Sequence, residues 1–414
     1  MKIIHFSDTH IGIESQGLID PETKLNIRTL DVLDGIDAMI DMAIEENVDV
    51  VLFTGDAFHR SNPPQNYVNE FGKRMSRLRK HCPVVLLVGN HDMPGGDRSS
   101  TLEIYKTLEV EDIIVGKYCE YYEIETKSGE YLQVVTIPYP NRSWLDVKDS
   151  IRNKTEIGES LKDETRKRIL ELSKQVNSEM PAILMGHFTA EGSNFGAERS
   201  MVVSNLDASV SLDELTLPIW DYVALGHIHK HQNITEGMEG LPPVVYSGSM
   251  DRVDFGEEHE PKGFVLLEIN SIDHAKQVHW EFVDALARPF QTLEYRAVDK
   301  NSTQKIIDKI NLRDDLEGAI VRVIITPKDE LSRLSLDDKE ISNVIIKKGA
   351  FAIKSFLVKR AEEVADDKIN ARETTLNISM NKKEMLIAYL DSIDKPDKEL
   401  ISIFENIVHT CEVK

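Results

Sequence analysis

The sequence contains little cysteine: three occur in 414 residues, and no two have the C-x-x-C spacing. A disulfide framework and a cysteine-bound zinc ion are therefore not expected. The low cysteine content instead favours a reducing, cytoplasmic environment. No apolar run approaches the roughly 18 residues that a membrane-spanning helix needs, so we expect no membrane segment. The N-terminal sequence reaches the acidic Asp8 too early for a secretory signal peptide.

Positive charge is also scarce, with 49 Lys and Arg against 71 Asp and Glu and a formal net charge of −22. A chain this acidic is a poor candidate for binding nucleic acid through bulk charge alone. The charge is unevenly distributed, because residues 287–414 carry 22 basic and 23 acidic side chains. Nearly all of the acidic excess therefore lies in residues 1–286, and the composition changes near residue 286.

The hydrophobic pattern changes at the same place, which predicts three parts. Residues 1–286 alternate short apolar runs with helical stretches, as in an α/β domain. Residues 287–366 predict a smaller α/β domain, and residues 367–414 a linker and a pair of amphipathic helices that either dock on a partner or fold back on the second domain. In the second domain we predict strands Gln291–Val298, Ala319–Thr326 and Phe351–Lys359 and helices Thr303–Ile310 and Lys339–Lys348.

Polar residues that can bind metal ions follow directly on five short apolar runs. Because the carboxyl ends of parallel strands meet at one edge of an α/β sheet, the five clusters can converge on one spot. A single such cluster is more often a hydrogen-bonded core feature, but five in order predict a metal site. The clusters are Ser7-Asp8-Thr9-His10, Gly55-Asp56-Ala57-Phe58-His59, Gly89-Asn90-His91-Asp92, Gly186-His187 and Gly226-His227-Ile228-His229.

The kinds of ligand indicate which metal ions the site would bind. Imidazoles combined with carboxylates and one amide, without a thiolate, suit Mn²⁺, Fe²⁺ or Zn²⁺ better than Ca²⁺ or Mg²⁺. Two such ions need a shared carboxylate, for which Asp56 is the natural candidate. The two-residue spacing of Asp8 and His10 predicts that both project to the same side of an extended chain. The glycine before each of Asp56, Asn90, His187 and His227 is expected to permit a sharp turn.

The ordered clusters resemble the D-x-H, G-D-x-x-H, G-N-H-D, G-H and G-H-x-H signature of the calcineurin-like metallophosphoesterases. The segments Pro242–Ser249, Asp251–Glu258 and Pro261–Val265 narrow this resemblance to the SbcD family of DNA repair nucleases. Protein phosphatases differ, since they carry G-D-x-x-D-R-G and G-N-H-E. The resemblance covers about residues 1–290. It implies an α/β fold with an αββα sandwich, a second, smaller α/β capping domain and a C-terminal helical segment.

The resemblance also implies roles for individual residues. It implies that His91 faces the scissile phosphate and that His59 helps to place the DNA strand, although His59 also suits a surface loop. Asp92 would orient the His91 imidazole or, alternatively, cap a turn. Basic residues beside the clusters are possible DNA contacts: Arg60, Arg98, Lys230 and Arg252. The implied ligands are Asp8, His10, Asp56 and His229 for a first metal ion, and Asp56, Asn90, His187 and His227 for a second.

The activity that the resemblance implies is that of a Mn²⁺-dependent DNA nuclease in double-strand-break repair and recombination. It would combine double-strand exonuclease and single-strand endonuclease activity, act as a homodimer and pair with an SMC-like coiled-coil ATPase of the SbcC type. The metal ions would supply positive charge at the phosphate itself, which partly compensates for the acidic composition in binding DNA. Two alternatives stay open: a phosphodiesterase or phosphomonoesterase acting on small nucleotides, and a scaffold without enzyme activity.

Overall fold

The computed structural model describes residues 1–13, 18–94, 99–145, 153–195, 209–272 and 275–358. Within these residues no helix combines the length and the apolar character needed to cross a membrane. Two compact units divide the chain, Met1–Phe290 and Gln291–Lys414. The three-part division at residues 286 and 366 stays a prediction, because the linker and the C-terminal helix pair lie outside the described residues.

The first unit contains a six-stranded sheet in which the N-terminal strand is central. Its strands are β1 (Lys2–Phe6), β2 (Val50–Phe53), β3 (Val84–Leu87), β4 (Ile113–Gly116), β13 (Gly263–Ile272) and β14 (Ala275–Asp284). The spatial order is 14-13-1-2-3-4, and strands 1 to 4 run parallel to one another, whereas β13 is antiparallel to both of its neighbours, β1 and β14. The short parallel strands β2 and β3 are apolar along their whole length because both of their faces are buried.

A second six-stranded sheet lies in the same unit. Its strands are β5 (Glu120–Glu125), β6 (Tyr131–Ile137), β7 (Ala182–His187), β10 (Tyr222–Gly226), β11 (Gln232–Asn233) and β12 (Val244–Tyr246). The spatial order is 11-12-10-7-6-5, in which the central strands 12, 10, 7 and 6 are parallel and antiparallel strands close both edges. A separate two-stranded sheet pairs β8 (Thr189–Ala190) with β9 (Ser209–Val210).

The two large sheets pack face to face between two layers of helices. One core lies between the sheets and includes Leu52 from the first and Met185 from the second. A second core packs helices α1 (Ile27–Glu45) and α2 (Gln65–Arg79) on the outer face of the first sheet. A third core packs helix α4 (Lys154–Ser173) on the outer face of the second sheet. The expected αββα sandwich is confirmed. Short helices complete the unit: α3 (Ile104–Thr107), α5 (Leu212–Leu215) and 3-10 turns at Thr101–Glu103, Arg142–Trp144 and Phe255–Glu257.

A buried histidine joins the two sheets just below the strand ends. His5 in β1 contacts the Tyr222 hydroxyl in β10 at 3.1 Å through Nδ1 and the Thr54 hydroxyl at 3.0 Å through Nε2. Burial lowers the pKa of His5 to about 3, so the ring is neutral at physiological pH. This polar link joins the first sheet to the second beside the apolar core that lies between them.

The second unit is a small α/β fold. Its sheet has the order β15 (Phe290–Ala297), β16 (Ile320–Pro327) and β17 (Ala352–Val358), with β16 and β17 parallel. Its helices are α6 (Ser302–Asn311), α7 (Glu330–Leu334) and α8 (Asp338–Lys347). The five elements predicted here are confirmed within one residue at each described end, whereas the short α7, capped by Asp329, was missed.

Candidate metal centre

The five polar clusters lie at the ends of five strands that share one edge of the sandwich. Strands β1, β2 and β3 are parallel neighbours in the first sheet, and β7 and β10 are parallel neighbours in the second. Their carboxyl ends therefore meet across the two sheets, as the rule for α/β folds predicts. The ligand atoms of Asp8, His10 and His229 lie within 4.8 Å of one another, and so do those of Asp8, Asp56 and His187.

The first group, which consists of Asp8, His10 and His229, joins the two sheets at their edge. The Nε2 atoms of His10 and His229 are 2.9 Å apart, although His10 follows β1 and His229 follows β10. Asp8 Oδ1 lies 3.9 Å from His10 Nε2. All three side chains are buried. Two imidazole nitrogens and a carboxylate oxygen thus point into one small space, which is the donor set of a divalent transition metal.

The second group consists of His187, His227 and Asn90, and it is centred on Asn90. Its Oδ1 atom lies 2.9 Å from His187 Nε2 and 3.1 Å from His227 Nδ1. The other ring nitrogen of His187 is 2.6 Å from the backbone carbonyl oxygen of Thr54, which fixes the orientation of that imidazole. The amide and the two imidazoles therefore converge beside the first group.

Asp56 lies between the two groups. Its Oδ2 atom is 3.7 Å from His10 Nε2 and 3.4 Å from His187 Nε2. Its Oδ1 atom accepts a hydrogen bond from the backbone N–H of His91 at 2.8 Å. Oδ2 is therefore the Asp56 atom that faces both groups, whereas Oδ1 is held by the backbone of His91.

The backbone is strained at four of the predicted ligands. Asp8, His10, Asp56 and His227 have positive φ values of 51°, 42°, 58° and 92°, and the described residues contain nine non-glycine residues of this kind in all. Such conformations cost free energy and cluster at functional sites. Asp8 and His10 thus converge through left-handed kinks, and the expectation of a simple extended chain there was wrong.

Residue 89 must be glycine because Asp56 approaches it closely, and not because the backbone of residue 89 makes a left-handed turn. Gly55 has a φ of +104° and does make the expected sharp turn. An added Cβ at Gly89, by contrast, would overlap Asp56 Oδ1 and lie 2.5 Å from the backbone nitrogen of Asp56. Residue 89 must therefore lack a side chain for Asp56 to keep its place.

The variant Gly89→Ala tests this packing. We expect it to displace the Asp56 carboxylate and to lower the bound metal content, because the new methyl group would overlap Oδ1. Metal analysis of the purified protein and its unfolding temperature are the measurements. Gly72→Ala in α2 is the matched control, since its added Cβ would meet only the Tyr105 hydroxyl, at an ordinary contact distance of 3.6 Å. Unchanged metal content in Gly89→Ala would contradict this account.

His91 and His59 stand beside the first group. Their rings are stacked with centroids 5.8 Å apart, and the His91 ring lies 4.8 Å from the His10 ring. His91 Nδ1 is 3.0 Å from the backbone carbonyl oxygen of His59. Because a carbonyl oxygen only accepts, Nδ1 carries the proton and Nε2 is the nitrogen with a second role.

Asp92 does not orient the His91 imidazole. Its carboxylate accepts hydrogen bonds from the backbone N–H groups of Asp56 at 2.9 Å, Ala57 at 3.2 Å, Phe58 at 3.2 Å and Gly89 at 3.1 Å. The predicted contact with the imidazole was wrong, and the alternative of a turn-capping residue fits. Asp92 holds the backbone of the β2 and β3 ends together and so positions Asp56.

The charges of the site suit bound cations. Asp8 and Asp56 are buried carboxylates, which are costly unless a positive charge accompanies them. Burial would raise the pKa of Asp56, but His187, His10 and His91 together outweigh burial and hold that pKa well below its usual range. Burial lowers the pKa of His187, yet Asp56 and Asp8 raise it to about 9. The residues therefore fit a pair of metal ions.

The four predicted DNA contacts have different environments. Arg60 is exposed beside His59, and Lys230 is half-buried beside His229. Arg98 lies outside the described residues. The Arg252 guanidinium donates to the backbone carbonyl oxygens of Glu258, Glu260, Ala287 and Arg288, at 2.9–3.3 Å. These bonds give Arg252 a structural role and argue against the predicted DNA contact.

Two residues at the site had no predicted role. Tyr139 follows β6, and its ring centroid lies 5.5 Å from that of His227 and 6.3 Å from that of His187. Glu257 contacts His229 Nδ1 at 2.8 Å. Tyr139 stands at a sixth strand end, a position that could have revealed it. Glu257 lies far from His229 in sequence, within a segment used above only for its resemblance.

Comparison with known proteins agrees with this geometry. The pattern described as "Calcineurin-like phosphoesterase" matches residues 1–231. The chain belongs to the calcineurin-like phosphoesterase family. It is therefore a metal-dependent phosphodiester hydrolase, in a family that uses a two-metal centre.

Relatives within this family match much of the chain. "DNA double-strand break repair protein Mre11" of Sulfolobus acidocaldarius is 25% identical over 93% of this chain and 85% of that protein. The SbcD component of the nuclease SbcCD of Bacillus subtilis is 27% identical over 65% of this chain and 66% of that protein. A Methanocaldococcus jannaschii protein with the same name as the first is 26% identical over 75% of this chain and 73% of its own length. The resemblance to SbcD-type nucleases is confirmed.

Proposed function

We propose that this protein is a Mn²⁺-dependent DNA nuclease that acts in double-strand-break repair and recombination. The observation that carries the proposal is the convergence of Asp8, His10, His229, Asp56 and His187 at one sheet edge. Relatives named as a DNA repair protein and as a nuclease component support DNA as the substrate. The proposed activities are exonuclease cleavage of double strands and endonuclease cleavage of single strands.

The proposed ligands divide between two positions that share Asp56. The first metal ion would be held by Asp8, His10, Asp56 and His229, and the second by Asp56, Asn90, His187 and His227. When bound, such a pair of divalent ions activates water and stabilises the charge that develops on the phosphoryl group. The protein's part is to hold these oxygen and nitrogen atoms together in a buried, strained frame.

His91 is proposed to act on the substrate and not on a metal ion. Its Nδ1–H is fixed by the His59 carbonyl oxygen at 3.0 Å, so a second proton taken up by the ring would lie on Nε2, from which it would pass to the leaving oxygen. His59, stacked on His91, would guide the DNA strand towards the site together with Arg60 and Lys230. Since residues 1–286 are strongly acidic, we expect DNA binding by the isolated chain to be weak and sensitive to salt.

A cleavage assay tests the proposed substrate. The purified protein is incubated with Mn²⁺ and end-labelled duplex or single-stranded DNA, alongside a mononucleotide and nitrophenyl phosphate. Cleavage of DNA in preference to the small substrates is the expected result. Efficient hydrolysis of the small esters with intact DNA would favour the small-nucleotide phosphodiesterase instead.

The proposed partner is an SMC-like coiled-coil ATPase that binds the C-terminus. The apolar residues Leu400, Ile401, Phe404, Ile407 and Val408 have the three-and-four spacing of an amphipathic helix. Such a short helical segment must pack on something else to be stable. We further propose a cytoplasmic homodimer, which light scattering of the purified protein tests.

Truncation after Asn381 tests the docking assignment. We expect the shortened chain to keep metal-dependent cleavage of single-stranded DNA and to lose co-purification with the ATPase, because the metal ligands end at His229. Phe404→Asp in the full chain is a milder version of the same test. A truncated chain that binds the ATPase with unchanged affinity would rule out docking through this segment.

A further inference from the structure

The buried carboxylate of Glu257 lies behind the His229 ring, on the side that faces away from Asp8 and His10. Glu257 Oε1 is 2.8 Å from His229 Nδ1, and Glu257 is completely buried. The carboxylate is held in place from the other side, because the backbone N–H of Val253 donates to Oε2 at 2.9 Å. Glu257 is therefore a fixed acceptor for the His229 ring.

This contact determines which nitrogen of His229 faces the candidate metal position. With Nδ1–H donated to the carboxylate, Nε2 keeps its lone pair. Nε2 is the atom that lies 2.9 Å from His10 Nε2. A carboxylate behind an imidazole also makes the ring a stronger donor to a metal ion.

A buried lysine completes the arrangement. Lys262 Nζ lies 2.9 Å from Glu257 Oε2, and it donates to the backbone carbonyl oxygen of His229 at 3.1 Å. It also contacts Ser249 Oγ at 2.9 Å and Glu260 Oε2 at 3.1 Å. Lys262 directly precedes β13 in the first sheet, whereas His229 follows β10 in the second. The pair of Glu257 and Lys262 thus holds both the ring and the backbone of His229 against the opposite sheet.

Two other histidines of the site, His187 and His10, are held differently. His187 Nδ1 meets the backbone carbonyl oxygen of Thr54, which carries no full charge. His10 Nδ1 has no hydrogen-bond partner within the described part of the chain. Within the described residues, a charged pair stands behind the ring of His229, whereas His187 meets an uncharged carbonyl oxygen.

We propose that Glu257 and Lys262 are positioning residues that fix the tautomer and the place of His229 and so strengthen the first metal position selectively. This inference rests on the metal site of the proposed function. Glu257 supplies the negative charge behind the ring, and the ammonium group of Lys262 offsets the free-energy cost of burying that charge.

Manganese titration of the full chain provides the first test. Free Mn²⁺ is followed by its electron paramagnetic resonance signal in the wild type, Glu257→Gln and Glu260→Gln. We expect Glu257→Gln to weaken one of the two bound ions by about 10–100-fold and to leave the other within a few-fold. Glu260→Gln is the matched control, because it removes the other carboxylate that contacts Lys262. Equal weakening of both ions in Glu257→Gln would overturn the proposal.

A double variant separates positioning from simple stability. Glu257→Gln leaves the Lys262 ammonium with one carboxylate fewer, so it also lowers the unfolding temperature of the metal-free protein. Glu257→Gln/Lys262→Met removes both charges, and we expect it to recover the unfolding temperature without recovering the first affinity. Recovery of affinity and stability together would mean that Glu257 acts only through the fold.

The tautomer of His229 tests the proposal without any metal. Nitrogen-15 spectra of the metal-free protein, with the His229 signals identified through His229→Gln, are expected to show Nδ1–H in the wild type and a mixture in Glu257→Gln. The same mixture in both proteins would overturn the assignment. A wild type that binds no Mn²⁺ would instead contradict the proposed function, so the two failures are distinguishable.

Discussion

His91→Ala is expected to lower the rate of phosphodiester cleavage by about 10²–10⁴-fold, the usual contribution of a general acid. The reason is geometric: the His59 carbonyl oxygen holds Nδ1 at 3.0 Å and leaves Nε2 to serve the leaving oxygen. Metal binding should survive, because His91 contributes only its backbone N–H to Asp56 and alanine keeps that group. Single-turnover cleavage with metal analysis of the same sample is the measurement.

The comparison needs a histidine variant away from the site. His279→Ala removes an exposed ring in β14 and should leave both rate and metal content unchanged. Near-normal cleavage by His91→Ala with two ions bound would remove His91 from the proposed chemistry. Loss of both metal ions in His91→Ala would instead show that the ring supports the metal site.

Asp56→Asn is expected to lose both metal ions together and with them nearly all activity. Asp56 Oδ2 is the atom within 3.7 Å of His10 Nε2 and 3.4 Å of His187 Nε2, so both positions depend on it. The new carbonyl oxygen can still accept from His91 N–H, which leaves an amide NH₂ in the shared place, where it cannot bind a cation. Loss of the metal-derived stabilisation, several kcal/mol, corresponds to a rate decrease on the order of 10³-fold or more.

Asp8→Asn is the variant with which the metal content of Asp56→Asn is compared. Asp8 lies 3.9 Å from His10 Nε2, and we expect its loss to weaken mainly the first ion. Metal stoichiometry by elemental analysis distinguishes the two variants, and unfolding temperatures without metal show that both are folded. Retention of one ion by Asp56→Asn would show that Asp56 does not bridge the two positions.

The sequence predicted the features that depend on burial and strand order. Apolar runs such as Val50–Phe53 became central parallel strands, and the polar clusters behind them converged because parallel strands end at one edge. In the second unit, helix Ser302–Asn311 follows from the spacing of Ile306, Ile307 and Ile310, which are buried.

Features that depend on individual atoms could not be predicted in this way. The left-handed backbone at Asp8 and His10 results from tertiary contacts, such as the hydrogen bond from Asp8 N–H to the Gly55 carbonyl oxygen at 3.0 Å. Asp92 and Arg252 both bind backbone groups distant in sequence, and neither arrangement leaves a pattern in the local residues. Nothing near Glu257 in the sequence indicates that its partner is His229.

The position of the site across two sheets links metal binding to the integrity of the whole sandwich. His10 belongs to the edge of one sheet and His229 to the edge of the other, with their Nε2 atoms 2.9 Å apart. Neither sheet alone offers the full set of donors, so a chain in which the sheets separate binds the ions poorly. Ligand that binds only the closed form stabilises it by mass action, by about 2.7 kcal/mol at a hundred times the dissociation constant. The unfolding temperature of this protein should therefore rise with Mn²⁺ concentration, and chelation should loosen the contact between the sheets as well as stop the chemistry.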